Sequence, residues 1–284
     1  MTVPRGKASG VTGRAKRSEL VSSVSTATAP DGESLAYEVT GEGPPIVLVH
    51  GITESRRSWD PLIAPLARDH RVVAVDLRGH GESDRRPSYD VLTMAADIHA
   101  VVEAVGATEP LVVGHSLGGA VVSVYAAAYP VRGVLNVDQP LEMSGFKALL
   151  EPLEPMLRGD DATFRSLIGQ IFDSLYGALS PDERARIQSL SHPEQDVVLG
   201  AWEFVLTAAP EEMDELIRST VQLVTAPYLV IAGSDPGEAY VAWLEDVIPN
   251  ATVEVWGDVG HYPHLVEPER FVQRVRSFWG ASSR

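Results

Sequence analysis

The stretch Leu111-Val112-Val113-Gly114-His115-Ser116-Leu117-Gly118-Gly119 changes its period in mid-course. An apolar run short enough to be a buried strand gives way, through small residues, to Leu117–Tyr129, where apolar residues recur at helical spacing. A serine at such a strand-to-helix elbow projects its Oγ above the sheet, and the glycines beside it let strand and helix close around a strained turn. A Gly-x-Ser-x-Gly string on its own occurs by chance and often does no more than shape a turn. The strand before it and the helix after it make Ser116 the candidate nucleophile.

Outward from this elbow the same alternation repeats. Short β-branched runs at Ile46–His50, Arg71–Asp76, Leu111–Gly114, Gly133–Asp138, Tyr228–Gly233 and Thr252–Trp256 are apolar on both faces, as strands of a parallel sheet covered by helices must be. Between them, Trp59–Arg68, Val91–Val105, Leu117–Tyr129, Ala239–Val247 and Pro268–Trp279 carry helical spacing. Ser25–Ala29 and Leu35–Thr40 flank Asp31-Gly32, which predicts an antiparallel hairpin at the sheet edge. The expected class is α/β, a mostly parallel sheet with helices on both faces.

Residues 141–222 break the alternation. They hold amphipathic patterns, proline breakers at 152, 155, 181, 193 and 210, and no convincing strand. The expectation is a helical cap inserted into a core formed by residues 23–140 and 223–284, with Leu149, Met156, Phe164, Ile168, Phe172, Leu175 and Trp202 as its apolar inner face. Residues 1–22, basic at the start and rich in Gly, Ser and Thr, read as a disordered tail.

Composition narrows the function. The chain has 284 residues and no cysteine, so disulfides, thiolate metal sites and a cysteine nucleophile are excluded. A net charge of −16 repels nucleic acid and anionic membranes. No apolar run reaches the ~18 residues of a membrane span, and the expectation is a cytoplasmic protein with neither nucleic-acid nor membrane partner. No metal or organic cofactor is implied. Oligomeric state is open, with a homodimer as one possibility.

A serine needs a base. Gly260-His261-Tyr262-Pro263-His264 follows the last strand, and in a loop there the His261 imidazole can swing over the elbow; His264 reads as a structural neighbour.

Four features together, His50-Gly51, Asp76-Leu77-Arg78-Gly79-His80-Gly81-Glu82-Ser83, the serine elbow and Gly260-His261, resemble the α/β-hydrolase family over about residues 25 to 280. The resemblance implies that the backbone N–H groups of Ile52 and Leu117 form an oxyanion hole, that Gly51 and His115 lie against the substrate, and that the charges of residues 76–84 are structural. It leaves two candidates for the acid that orients His261. Asp235, in Gly233-Ser234-Asp235-Pro236, sits where relatives usually carry it and is preferred, although the loop is a residue shorter than their pattern. Asp138 ends Gly133–Val137, the position used by haloalkane dehalogenases and zearalenone-type lactonases. Trp202, Tyr262, Tyr240 and Trp243 are candidates to line the pocket. Serine at position 116 argues against dehalogenase and epoxide hydrolase chemistry, whose relatives have aspartate there. An apolar cap points to a hydrophobic ester or lactone as substrate. Carbon–carbon bond hydrolysis, perhydrolysis, thioester hydrolysis and non-catalytic ligand sensing use the same residues on related folds.

Overall fold

The structure, a computed structural model, describes residues 23–282. The proposed tail of residues 1–22 lies outside the described residues.

An eight-stranded sheet forms the centre, built from β1 (Ser25–Thr28), β2 (Ser34–Thr40), β3 (Pro45–Val49), β4 (Arg71–Val75), β5 (Leu111–His115), β6 (Gly133–Val137), β7 (Tyr228–Ala232) and β8 (Ala251–Val255) in the order β1-β2-β4-β3-β5-β6-β7-β8. β1 and β2 pair antiparallel across the Asp31-Gly32 turn, where Gly32 adopts a φ of 87°, and β2 runs antiparallel to β4. The remaining neighbours are parallel. β5, β6 and β7 are buried along their whole length, in keeping with their unbroken apolar runs. β8 differs from the reading of its sequence: Thr252 and Val255 are exposed because it closes the sheet and has a neighbour on one side only.

Crossover helices separate the parallel strands: α1 (Asp60–Leu66), α2 (Val91–Ala104) and α3 (Leu117–Ala128). The chain leaves β3 toward β4 on one side and leaves β5 toward β6 on the other. The carboxyl ends of β3 and β5 therefore flank the point where the connections diverge, which is where open α/β sheets bind ligands.

Between β6 and β7 the chain forms only helices: α4 (Ser144–Leu150), α5 (Glu154–Leu157), α6 (Asp161–Leu175), α7 (Pro181–Leu190), α8 (Gln195–Thr207) and α9 (Pro210–Val221). Pro181 and Pro210 start their helices, where the missing N–H costs nothing. Asp160 caps α6 by accepting from Thr163 N at 2.8 Å. Phe164, Ile168, Phe172 and Trp202 are buried as their spacing implies, but Leu149 and Met156 are exposed and their successors Leu150 and Leu157 are buried instead. The Glu151–Leu153 3-10 turn between α4 and α5 resets the helical phase, which a single 3.6-residue period does not anticipate. After β7 come α10 (Glu238–Val247), α11 (Pro263–Val266) and α12 (Pro268–Ala281). α2 packs on α3 and α1 on α12 to cover the sheet, while α9 lies against α3.

The Asp76–Ser83 loop is held by buried charge. The Asp76 carboxylate pairs with Arg56 and accepts the Arg56 and Glu82 N–H groups at 2.6 and 2.9 Å. Arg78, 1% exposed, reaches Asp97 at 2.6 Å and Asp31 at 3.0 Å.

Candidate active site

Ser116 stands between β5 and α3 at φ 51° and ψ −126°, a backbone region that costs a non-glycine residue of the order of 1–3 kcal/mol. Its surroundings over-determine the turn. Ser116 N donates to Val137 O at 3.0 Å, and Gly119 N donates to Ser116 O at 2.6 Å. A Cβ at Gly114 would sit 2.0 Å from Gly118 O, and one at Gly118 would sit 2.3 Å from Val49 O, so only glycine allows β5, α3 and β3 to approach this closely. Leu117, as the first residue of α3, has an N–H with no acceptor inside the helix, at the positive end of the helix dipole.

The loop after β3 comes against the elbow from the other side of the divergence. A Cβ on Gly51 would lie 3.2 Å from Ser116 Cβ, which puts Gly51 in contact with the serine and Ile52 immediately beyond it. Thr53 follows at φ 67°. It is held by its hydroxyl against Ser191 Oγ at 2.9 Å and by its carbonyl, which accepts His192 N–H at 2.8 Å. The helical insertion thus bonds directly to this loop.

His261 Nδ1 lies 2.7 Å from Asp138 Oδ2, and Asp138 Oδ1 accepts the Gly233 N–H at 2.7 Å. A carboxylate on Nδ1 fixes the tautomer with the proton there, leaving Nε2 with its lone pair. Asp138 has a φ of 55°, and the turn that imposes it is built by Asn136, which donates to Gln139 O at 2.8 Å and accepts Gln139 N–H at 3.1 Å. The side chains of His261 and Asp138 are 13% and 18% exposed, so the pair is within reach of solvent. The loop bearing His261 is fastened on two sides. Gly260 N donates to Gly233 O at 3.3 Å, and His261 N donates to Leu175 O, at the end of α6, at 3.0 Å.

The structure does not bring Asp235 to His261, and the preference for it is corrected. Asp235 is exposed, and its Oδ1 accepts the Gly237 N–H at 2.9 Å, closing a local turn. The shortened Gly233–Pro236 loop turns its carboxylate back on its own backbone.

Among the candidates for substrate contact, Gly51 is placed against Ser116. His115 and Tyr262 are each 1% exposed, with His115 Nε2 donating to His261 O at 2.9 Å and Tyr262 Oη donating to Glu54 Oε1 at 2.9 Å. Trp202 packs edge-on against Phe146 inside the insertion. Tyr240 Oη accepts the Leu141 N–H at 3.3 Å, and Trp243 donates to Asp214 at 3.1 Å. His264 is buried against Trp59, with ring centroids 4.8 Å apart. Burial pushes His115 and His264 well below the usual histidine range, so both are neutral.

Glu54 escaped the sequence reading. In Thr53-Glu54-Ser55-Arg56-Arg57 it has the look of a solvated loop, yet it is 3% exposed and its carboxyl is pushed up by burial. No period marks it, because its hydrogen-bond partner Tyr262 lies more than two hundred positions away. Among the described residues no group of three or more His, Asp or Glu side chains is arranged to hold a metal ion. No helix among them is long and apolar enough to cross a membrane.

An ordered elbow serine, a histidine oriented by a carboxylate, and a divergence point between β3 and β5 are what a hydrolytic α/β architecture provides. The sequence profile of the alpha/beta hydrolase fold matches residues 44–268, and the chain belongs to that family. Its structural neighbours include a protein from Burkholderia cenocepacia described as a candidate aryl esterase, with 29% identity, a TM-score of 0.76, and coverage of 92% of this chain and 100% of that one. Another is the esterase RhEst1 from Rhodococcus, at 29% identity and TM-score 0.68, covering 92% and 99%. Pyrrolizixenacetamide deacetylase from Xenorhabdus hominickii is 28% identical over 258 residues, 86% of this chain and 94% of that protein.

Proposed function

We propose that the protein is a serine hydrolase that cleaves a hydrophobic carboxylic ester or lactone through an acyl-enzyme. The observation that carries this reading is the 2.7 Å hydrogen bond between His261 Nδ1 and Asp138, on a base loop fastened next to the strained Ser116 elbow.

Ser116 Oγ attacks the carbonyl carbon while His261 Nε2 takes its proton. The resulting imidazolium is stabilised by Asp138, and the oxyanion by the N–H groups of Ile52 and Leu117. Collapse breaks the bond to the leaving oxygen, which takes the proton from His261. Water, deprotonated by the same nitrogen, then attacks the acyl carbon and releases the acid with Ser116 regenerated. In a lactone the leaving oxygen stays tethered to the acyl group throughout, and this second attack releases a single hydroxy acid. The two esterase neighbours support the ester reading. The deacetylase relative makes an amide the second candidate bond, since the same groups protonate a leaving nitrogen.

The test is turnover of aryl esters of rising acyl length, several lactones and one aryl acetamide by wild type and Ser116→Ala. The expected result is ester or lactone turnover that falls about 10⁴-fold or more in the variant. Equal activity in both proteins removes Ser116 from the chemistry. Tight binding of a lactone without turnover makes the protein a ligand sensor.

A further inference from the structure

Behind the candidate site lies a buried polar chain that the reaction above does not use. Its first member is Glu54, three residues after Gly51 and tied to it by the Glu54 N–H to Gly51 O bond at 3.3 Å. Glu54 Oε1 accepts the hydroxyl of Tyr262, the residue next to His261. Glu54 Oε2 has no hydrogen-bond partner in the structure and lies 3.9 Å from His115 Nδ1, which has none either. His115, the residue before Ser116, donates from Nε2 to the carbonyl of His261 at 2.9 Å, so its Nδ1 must carry a lone pair. Two orphaned buried atoms facing one another each cost stability unless a proton lies between them. A proton on Oε2 is the donor that Nδ1 lacks, at a separation about 1 Å longer than a hydrogen bond.

We propose that Glu54 is a positioning residue which, held as a neutral carboxylic acid, ties the loop carrying Ile52 to the loop carrying His261 through Tyr262 on one side and His115 on the other. The inference rests on the assignment of Ser116 and His261 given above. The titratable and charged groups around Glu54 are His115 from β5, His261 and Tyr262 from the base loop, Tyr176 after α6 and Arg186 from α7, with the His264 ring tilted against His115, centroids 4.7 Å apart. Burial pushes the Glu54 carboxyl up and outweighs the hydrogen bonds from Tyr262 and Ser58 and the charges of His261 and Arg186, which pull it down. His115 is kept neutral by burial, the tyrosines are uncharged, and the Arg186 guanidinium is committed to Glu183 and to the carbonyls of Arg57 and Ser58. The chain meets His261 twice, at its carbonyl and at its neighbour's side chain, and it meets the oxyanion loop at Glu54 itself.

The test compares wild type, Glu54→Gln, Glu54→Ala, Tyr262→Phe and Ser116→Ala on one aryl ester, measuring kcat, KM and the pH profile of kcat/KM. Glutamine keeps an acceptor for Tyr262 and a donor for His115 without charge. Glu54→Ala is expected to lower kcat about ten-fold and Tyr262→Phe about three-fold, with KM within two-fold, because misplacing the base slows chemistry more than binding. Glu54→Gln is expected to recover kcat to within about three-fold of wild type and to leave the acid limb of the profile unmoved. An acid limb that drops by about one pH unit in Glu54→Gln identifies an ionised Glu54 beside His261 and overturns the proposal. So does Glu54→Gln as slow as Glu54→Ala, or Tyr262→Phe as fast as wild type. If Glu54→Ala does not fold, Tyr262→Phe and Glu54→Gln decide alone, since neither removes volume. Loss of activity in Ser116→Ala alongside silent Glu54 and Tyr262 variants defeats only this inference; a fully active Ser116→Ala defeats the functional reading beneath it.

Discussion

Replacing Asp138 by asparagine keeps the shape of its turn but lets the side-chain amide force the wrong tautomer on His261. The expected loss is about 10³–10⁴-fold in kcat, whereas Asp235→Asn, which touches only a surface turn, should stay within about two-fold. Steady-state kinetics on any ester the protein hydrolyses checks both. The contrast also shows what a single residue's sequence context conveys. Ser116 is legible because strand, glycines and helix surround it locally, and His261 because a glycine loop follows the last strand. The choice between Asp138 and Asp235 is not local. Both follow parallel strands, and what decides between them is the backbone conformation set by Asn136 and Gln139 in one case and by Gly237 in the other. Glu54 is less legible still, since a carboxylate in a charged loop announces exposure.

At the level of elements, the seam between β5, α3 and β3 is limited by glycine. A methyl group at Gly118 would press on the carbonyl of Val49, a backbone atom that cannot rotate away. Gly118→Ala should therefore cost about 1–3 kcal/mol in urea unfolding and reduce activity by more than the unfolded fraction explains, because relief of the clash moves Leu117. Strands and crossover helices were readable to within a residue or two from their periods, as Arg71–Val75 and Val91–Ala104 illustrate. The exceptions have physical causes. β8 is exposed at Thr252 and Val255, where it lacks a neighbour, and α4 and α5 are shifted in phase by the 3-10 turn at Pro152.

The whole molecule should be sensitive to acid through its buried histidines. Burial lowers His50 to about 4 and His80 to about 3; both are bonded as neutral rings, with His50 Nδ1 donating to Gly51 O at 2.7 Å and Nε2 accepting Leu77 N–H at 3.0 Å. The unfolded chain protonates its histidines near pH 6.5. Between that value and the folded one, the unfolded state binds more protons, so stability falls as pH falls. Each such histidine contributes about 1.4 kcal/mol per pH unit over that window. Thermal melting from pH 7 to pH 4.5 should show a steep decline that His80→Gln makes shallower. The Arg78–Asp97 pair acts on the same scale. Asp97→Ala leaves a buried guanidinium short of a partner and should cost about 3–5 kcal/mol, read from the urea midpoint.

The mooring of His261 to Leu175, and the close approach of Gly177 to Gly260, where a Cβ on Gly177 would meet Gly260 Cα at 2.6 Å, bear on how such proteins can be recombined. Swapping residues 141–222 for the corresponding segment of another alpha/beta hydrolase exchanges part of the mounting of His261 along with the helical insertion. A chimera that keeps Leu175–Gly177 and the Val259–His261 loop from one parent should retain turnover, whereas a junction that separates them should yield a soluble but inactive protein.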